Sequence, residues 1–417
     1  MHKNKSIAAF LILSALPCCS LIVRANELPV EAFGSLPAIR NATLSPDGTR
    51  IAFLQDADGQ TVLRVYRLDA DKSFLLGRAD NEKTIIGAYT WANDDIMLIS
   101  MRYPSRRYGT ATTESHLLRI RVEPGAKPET ILKPRRRSGG TAGDHFSQFQ
   151  DNIVSPLPDE PNHILMAFDV DKPNYPSVYK VDVSNGRRER VQRNRSKIVD
   201  WMADRQGRVR LAYGRDETKI FYRVFDLRAG EWRDAWDYEL FDTPAIRPMG
   251  FGIDPNHLYI RALHEGRYAV FRVHLDDPEF TRELVHADPN YDVDGGLIYS
   301  PVSNDVVGVS HGEADDSRVY WDPGYLGLQE GFRRVLPDSA NIIASMSRNE
   351  RRYILYSFSS NKPGSYYFGD RDEVSLEYLF TKYPLLENVE LPPKQKIVYQ
   401  ASRRTRHRSL PDRTNVL

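Results

Sequence analysis

Cysteine is almost absent from this chain of 417 residues: only Cys18 and Cys19 occur, both within the first 25 positions. Beyond them there can be no disulfide framework, no thiolate nucleophile and no thiolate zinc site, so the fold must rest on core burial. An excess of charge of one sign is also lacking. The chain has 57 basic and 56 acidic residues and a formal net charge of +1, which excludes a general field for nucleic acid. No apolar run reaches the roughly 20 residues of a spanning helix. No window sustains a helical 3.6-residue apolar period. The His-Glu-x-x-His pattern and phosphate-cradling glycine loops are missing, and the ten histidines are scattered.

The N-terminus carries a short targeting pattern. Lys3 and Lys5 precede the apolar run Ile7–Leu16, and Val23-Arg24-Ala25 offers residues that a signal peptidase reads. Residues 1–25 are therefore expected to be a signal peptide cleaved after Ala25, with the mature protein periplasmic or secreted and without a stable membrane anchor. Pro17 and the shortness of the run argue against a retained anchor helix. At the other end, residues 401–417 hold five arginines against one aspartate. The stretch between the two basic ends is mildly acidic.

A repeat runs through that stretch. Short apolar runs begin at Ile51, Ile96, Ile164, Val209, Leu258, Val306 and Tyr353, at spacings of 45, 68, 45, 49, 48 and 47 residues. The one long interval implies an insertion of about 20 residues within 100–160, where Pro134–Gly143 is the most loop-like segment. Each run follows turn residues such as Ser45-Pro46-Asp47-Gly48, Asp204-Arg205-Gln206-Gly207 or Asp254-Pro255-Asn256. About a dozen residues later comes an alternating segment, as in Leu118–Val122, Tyr179–Val183, Tyr222–Val224 and Phe271–Leu275, with Leu63–Val65 and Ser317–Tyr320 as looser copies. Six of the seven units place a basic residue there. Period two means strands with one buried face. Several strands per unit of 45–50 residues is the signature of propeller blades, which bury their faces only against one another. The reading is an all-β, seven-bladed β-propeller. An array of β-sandwiches fits less well, because no linker separates modules.

The candidates for chemistry are few. Gly308-Val309-Ser310-His311-Gly312 matches the G-x-S-x-G nucleophile elbow, which needs a strand before the serine and a helix directly after it. Here the next residues lead into another alternating strand, and Ser310 keeps the register of the sixth apolar run, so the match reads as accidental. Asp56–Gly59 and Asp292–Gly295 resemble the starts of calcium loops but lack the remaining ligands, and they read as hairpin turns. His264-Glu265-Gly266 reads as a turn. The tail Arg403–Arg408 could meet nucleic acid or anionic lipid, but reads as a solvated, disordered tail. No catalytic, cofactor-binding or metal-binding residue is assigned.

Leu28–Phe33 followed by Leu44–Phe53, then Trp91–Asp95 at the second unit, resembles the opening of bacterial prolyl oligopeptidase-family serine peptidases, nearest the acylaminoacyl-peptidase and dipeptidyl-peptidase branch. The likeness extends to about Gln400. The Ser-Pro-Asp-Gly turn alone is shared with periplasmic propellers of the TolB type. In the peptidase family the propeller gates peptide access to an α/β-hydrolase domain with a Ser-Asp-His triad. Lys396–Ala401 resembles the strand that opens that domain, after which this sequence turns abruptly basic. No family catalytic residue has a matching position here. The resemblance thus implies a propeller with an N-terminal segment at 26–42, blades over 43–395, and an interdomain strand remnant with a basic tail at 396–417. It would be truncated before the hydrolase domain, as from a frame shift near Ala401, and inactive alone. The competing expectation is a stand-alone TolB-like propeller that binds a peptide or protein partner in its channel or on a ring face.

Overall fold

The computed structural model describes residues 30–107, 109–132, 145–194, 197–242, 246–311, 318–389, 391–395, 397–400 and 406–409. The expected signal peptide and the Pro134–Gly143 loop lie outside them. Two compact units result, Met1–Ser35 and Leu36–Leu417. The described part of the first contains one short helix, Glu31–Gly34.

The second unit holds seven successive antiparallel sheets, each built from consecutive strands. They span 39–79, 85–150, 153–192, 198–239, 247–286, 297–320 and 340–381, and are called blades 1–7. Each apolar run identified in the sequence is the second strand of its blade, from Arg50–Ala57 in blade 1 to Arg352–Ser359 in blade 7. These strands are buried on both sides: Ile51 to Leu54 and Ile164 to Phe168 are buried without interruption. Alternation vanishes there because the sheet is covered on both faces, whereas the outer fourth strands are far more open: Glu231–Glu239 holds no buried residue, and Lys72–Ala79 only Leu76 and Ala79.

The core is divided by the ring. Seven apolar clusters occur among the described residues, one at each junction of neighbouring blades. Leu211, Ile220 and Tyr222 of blade 4 pack on Ile260, Ala269 and Phe271 of blade 5, for example. A fully buried aliphatic side chain contributes about 1.5–3 kcal/mol, so each interface is a core in its own right. The ring closes without a shared sheet. Ala42, Leu44, Ile51 and Phe53 of blade 1 pack on Ile354 and Tyr366 of blade 7. Leu44 N–H donates to Ser345 Oγ at 2.9 Å, and Arg348 N–H donates to Pro46 O at 2.8 Å.

The first blade begins at Ile39, inside the segment expected to precede the propeller. The insertion falls in blade 2. Its second and third strands, Ile96–Arg107 and Thr110–Arg121, are 12 residues each against eight in blade 1, and Phe149–Gln150 adds a parallel fifth strand. Blade 6 departs from the all-strand expectation. It has three strands, and a 13-residue helix, Pro323–Val335, follows in place of a fourth. Asp322 caps this helix by accepting from Gly324 N–H (2.8 Å) and Tyr325 N–H (3.1 Å), and Pro323 occupies the first turn. Tyr325 and Phe332 pack into the cluster between blades 6 and 7, and the buried Gln329 donates from Nε2 to Arg318 O of blade 6 at 3.0 Å. Polar Gln329 interrupts the apolar face formed by Tyr325, Leu328 and Phe332, so it does not stand out as periodicity. Past the ring, Ile397–Gln400 pairs antiparallel with Arg406–Ser409, so four residues of the tail expected to be disordered are in a hairpin.

Candidate functional site: the channel and the two ring faces

Strand order fixes two faces. On one, here the lower face, lie the turns joining first to second and third to fourth strands. The upper face carries the hairpins joining second to third strands and the crossings between blades. The chain enters and leaves on the upper face, where Ala38 N–H donates to Lys382 O at 2.9 Å.

First strands of adjacent blades touch around the channel: Trp91 Nε1 donates to Thr43 Oγ1 (3.1 Å), and Asn152 Nδ2 to Asp200 Oδ1 (3.3 Å). At the lower mouth the turns are laced together. Asp47 N–H donates to the Asp94 carboxylate (2.8 Å), Asn93 Nδ2 to Pro161 O (2.9 Å), and Ile253 N–H to Asp305 (2.9 Å). One link runs between blades that are not neighbours. Arg205 Nε of blade 4 donates to Asn304 O of blade 6 (3.1 Å), Asn304 Nδ2 donates back to Arg205 O (3.2 Å), and the guanidinium lies 4.1 Å from the Tyr299 ring. This chord narrows the lower mouth. Burial lowers the Arg205 pKa and pushes the Tyr299 phenol up to about 12.

The upper face holds the polar clusters that resemble catalytic parts. Ser147 Oγ and His145 Nε2 meet Asp169, the latter at 2.8 Å. The carboxylate stands between serine and histidine, so the imidazole does not touch the hydroxyl, and this is not a serine–histidine–carboxylate relay. Burial opposes ionisation of Asp169, but bonds from Ser147, Asn174 N–H and His145 outweigh it and lower the pKa. Ser100 donates to Asp151 at 2.5 Å, and Ser115 shares that carboxylate.

Ser310 is the last residue of the second strand of blade 6, opposite Arg318 in the third, so it sits in a sheet rather than on a strand-to-helix elbow. Its hydroxyl accepts from Gly296 N–H (2.9 Å) and donates to Gly296 O (3.2 Å). A Cβ at Gly295 would stand 2.1 Å from Ser310 O, so the loop lies tight on the strand. His311, buried next to it, turns instead to His286, with the two Nε2 atoms 3.0 Å apart. Gly312 lies outside the described residues.

The calcium-like segments serve the backbone. Asp58 (φ 52°) and Gly59 (φ 76°) close the hairpin between Ala57 and Gln60, and Glu265 and Gly266 (φ 50° and 84°) do the same in blade 5. Asp292 accepts from Tyr268 N–H at 2.7 Å. The repeated basic residue of the alternating strands is structural as well. Arg119, Arg223 and Arg272 each pair with the acid opposite them on the fourth strand, Glu129 (2.6 Å), Asp234 (2.7 Å) and Glu283 (2.7 Å). A groove of about 510 Å³ on the outer wall of blade 4 is lined by such pairs, including Lys219 with Asp237 at 2.8 Å.

What sequence reasoning missed is a histidine pair on the lower face. His257 and His274 are cross-strand partners in blade 5, and Asp254 completes a group whose ligand atoms all lie within 4.8 Å of one another. Asp254 and His257 share one turn, but only the strand register brings His274 to them.

No family model matches the chain. A search of characterised proteins finds dipeptidyl aminopeptidase BIII of Pseudoxanthomonas mexicana, 24% identical over 365 residues, which are 87% of this chain and 49% of that protein. Among solved structures, a prolyl endopeptidase superposes with a TM-score of 0.51 at 11% identity, over 89% of this chain and 53% of that one. A puromycin hydrolase gives 0.50 at 13% identity, over 89% and 58%. The chain thus spans about half the length of the relatives it matches. Fold, blade number and sequence likeness agree: the chain is similar to the propeller portion of serine peptidases of the prolyl oligopeptidase family.

Proposed function

We propose that this chain is a non-catalytic propeller that gates peptides for an α/β-hydrolase domain seated on its upper face. In the family it resembles, such a domain carries the nucleophile, and none of the serines described above hydrogen-bonds to a histidine. The observation that carries the proposal is the unequal distribution of exposed apolar side chains. Leu36, Phe146, Phe149, Phe241, Leu263 and Leu385 are exposed on the upper face, where the chain enters and leaves, against Ile253, Val302 and Val374 on the lower. Large exposed apolar surface marks a contact surface. The laced lower turns, with the Arg205–Asn304 chord, narrow the channel mouth away from that domain, which suits a filter that passes only extended peptide. Export to the periplasm or beyond, by the leader at residues 1–25, belongs to the same reading.

The test has two arms. Purified chain should hydrolyse neither aminoacyl nor dipeptidyl chromogenic substrates, and Ser310→Ala should leave that baseline unchanged. In sedimentation the chain should self-associate through its upper face, and Phe149→Asp with Phe241→Asp should reduce both self-association and binding of an apolar dye. Turnover abolished by Ser310→Ala, or a monomer indifferent to the two Asp substitutions, overturns the proposal. The second result would favour a stand-alone binding propeller with a finished polar surface.

A further inference from the structure

The geometry points to a binding site for a borderline divalent transition metal, of the zinc type, at Asp254, His257 and His274 on the lower rim of blade 5. His257 opens the second strand and His274 closes the third, directly opposite it, with ring centroids 5.2 Å apart and planes at 80°. The rings meet edge to face, so neither covers the other's nitrogens as a stacked pair would. Asp254 lies one turn earlier. Its carbonyl accepts from His257 N–H (3.0 Å) and its Oδ1 accepts from Asn256 N–H (2.9 Å), which holds the turn rigid. Its Oδ2 is left facing His257 Nδ1 at 4.0 Å.

One atom from each residue falls within a 4.8 Å circle. Tetrahedral zinc with bonds of about 2.0–2.1 Å needs ligands about 3.4 Å apart. The set therefore closes by rotamer adjustments on the order of 1 Å, without movement of the strands. Two imidazoles and a carboxylate suit zinc, cobalt, nickel or copper better than calcium or magnesium, which take oxygen ligands. Three protein ligands on a half-open rim leave the remaining position to water or to a group from a partner.

The surroundings tolerate a cation. Arg272, on the same sheet face, is bound by both oxygens of Glu283 at 2.7–2.9 Å, so its charge is matched, and Asp277 adds negative charge close to His274. His274 Nδ1 accepts a 3.2 Å bond from Asp276 N–H, which coordination would exchange for a metal bond or a tautomer change. The site lies on the face opposite the proposed hydrolase contact, so the two proposals stand or fall separately.

The experiment titrates untagged, full-length protein, stripped with a chelator, with zinc chloride by calorimetry and with cobalt chloride by visible absorption. One equivalent should bind, with a cobalt d–d band of low coordination number. His257→Gln, His274→Gln and Asp254→Ala should each weaken zinc binding by at least about tenfold, with melting temperatures in chelator equal to that of the parent chain. Zinc should raise the melting temperature of the parent chain but not of these three variants. His264→Gln and His286→Gln, which change histidines outside the site, should bind as the parent does. The assignment is overturned by absence of binding at millimolar zinc, by binding that survives the two site histidine substitutions, or by loss confined to His286→Gln.

Discussion

Asp370 offers a sharp test of how blade 7 joins blade 1. It ends the third strand of blade 7 with its side chain only 2% exposed. It accepts from Arg351 Nε at 3.0 Å, Arg352 Nε at 3.1 Å and Asp372 N–H at 3.0 Å. Arg352 in turn donates from Nη1 to Gly48 O of blade 1 at 3.1 Å, so the carboxylate orients the arginine that crosses the closing interface. Burial alone would raise the carboxyl pKa. The guanidinium and backbone N–H bonds outweigh it and hold the pKa at about 2, against an ordinary 3.8. A carboxyl whose folded pKa lies below its unfolded value stabilises the fold above the unfolded value, and that stability is lost as pH falls toward the folded pKa. The shift corresponds to at most about 2 kcal/mol at neutral pH. Because Arg351 and Arg352 are 37% and 31% exposed, solvent screening brings the expected cost of Asp370→Asn to about 1–2 kcal/mol. The assay is urea unfolding of both proteins at pH 7 and pH 3, with midpoints compared at equal slope. The difference should be full at pH 7 and smaller by roughly half at pH 3. A cost below about 0.5 kcal/mol at pH 7, or one that does not change with pH, would refute the relay.

Two further outcomes follow from the same physics. The His286 pKa is lowered, chiefly by burial and then by His311, so the unfolded chain binds more protons and stability falls as pH drops below about 6.5. His286→Gln should flatten the decline in urea midpoint between pH 7.5 and 5.5, and parallel curves for the two proteins would contradict this. Gly369 lies opposite Tyr353 in blade 7, where a Cβ would come within 2.1 Å of the ring. Gly369→Ala should therefore destabilise by about 1–3 kcal/mol by forcing the buried ring aside. Thermal unfolding within a degree of the parent chain would show that the ring moves freely.

Much of the fold was legible because a propeller repeats its physics. A second strand covered on both faces must be apolar without interruption, so Ile51, Ile164 and Leu258 announce their blades at regular spacing. The helix Pro323–Val335 was hidden because three buried residues over 13 make a weak period, although Asp322-Pro323 carries the cap. The repeated arginines of the third strands stood out, but their partners did not, since an acid on the next strand is set by register and not by local sequence.

By itself the sequence determined the number of blades, the place of the insertion and the absence of thiol chemistry beyond residue 25, because these follow from composition and periodicity along the chain. Only the tertiary structure decided which polar groups meet. It set Asp169 between Ser147 and His145, turned His311 toward His286 and away from Ser310, and brought Asp254, His257 and His274 to one rim. Hydrophobic burial is nondirectional and is written into composition, whereas a site depends on contacts within a few ångströms between residues whose separation in sequence carries no period.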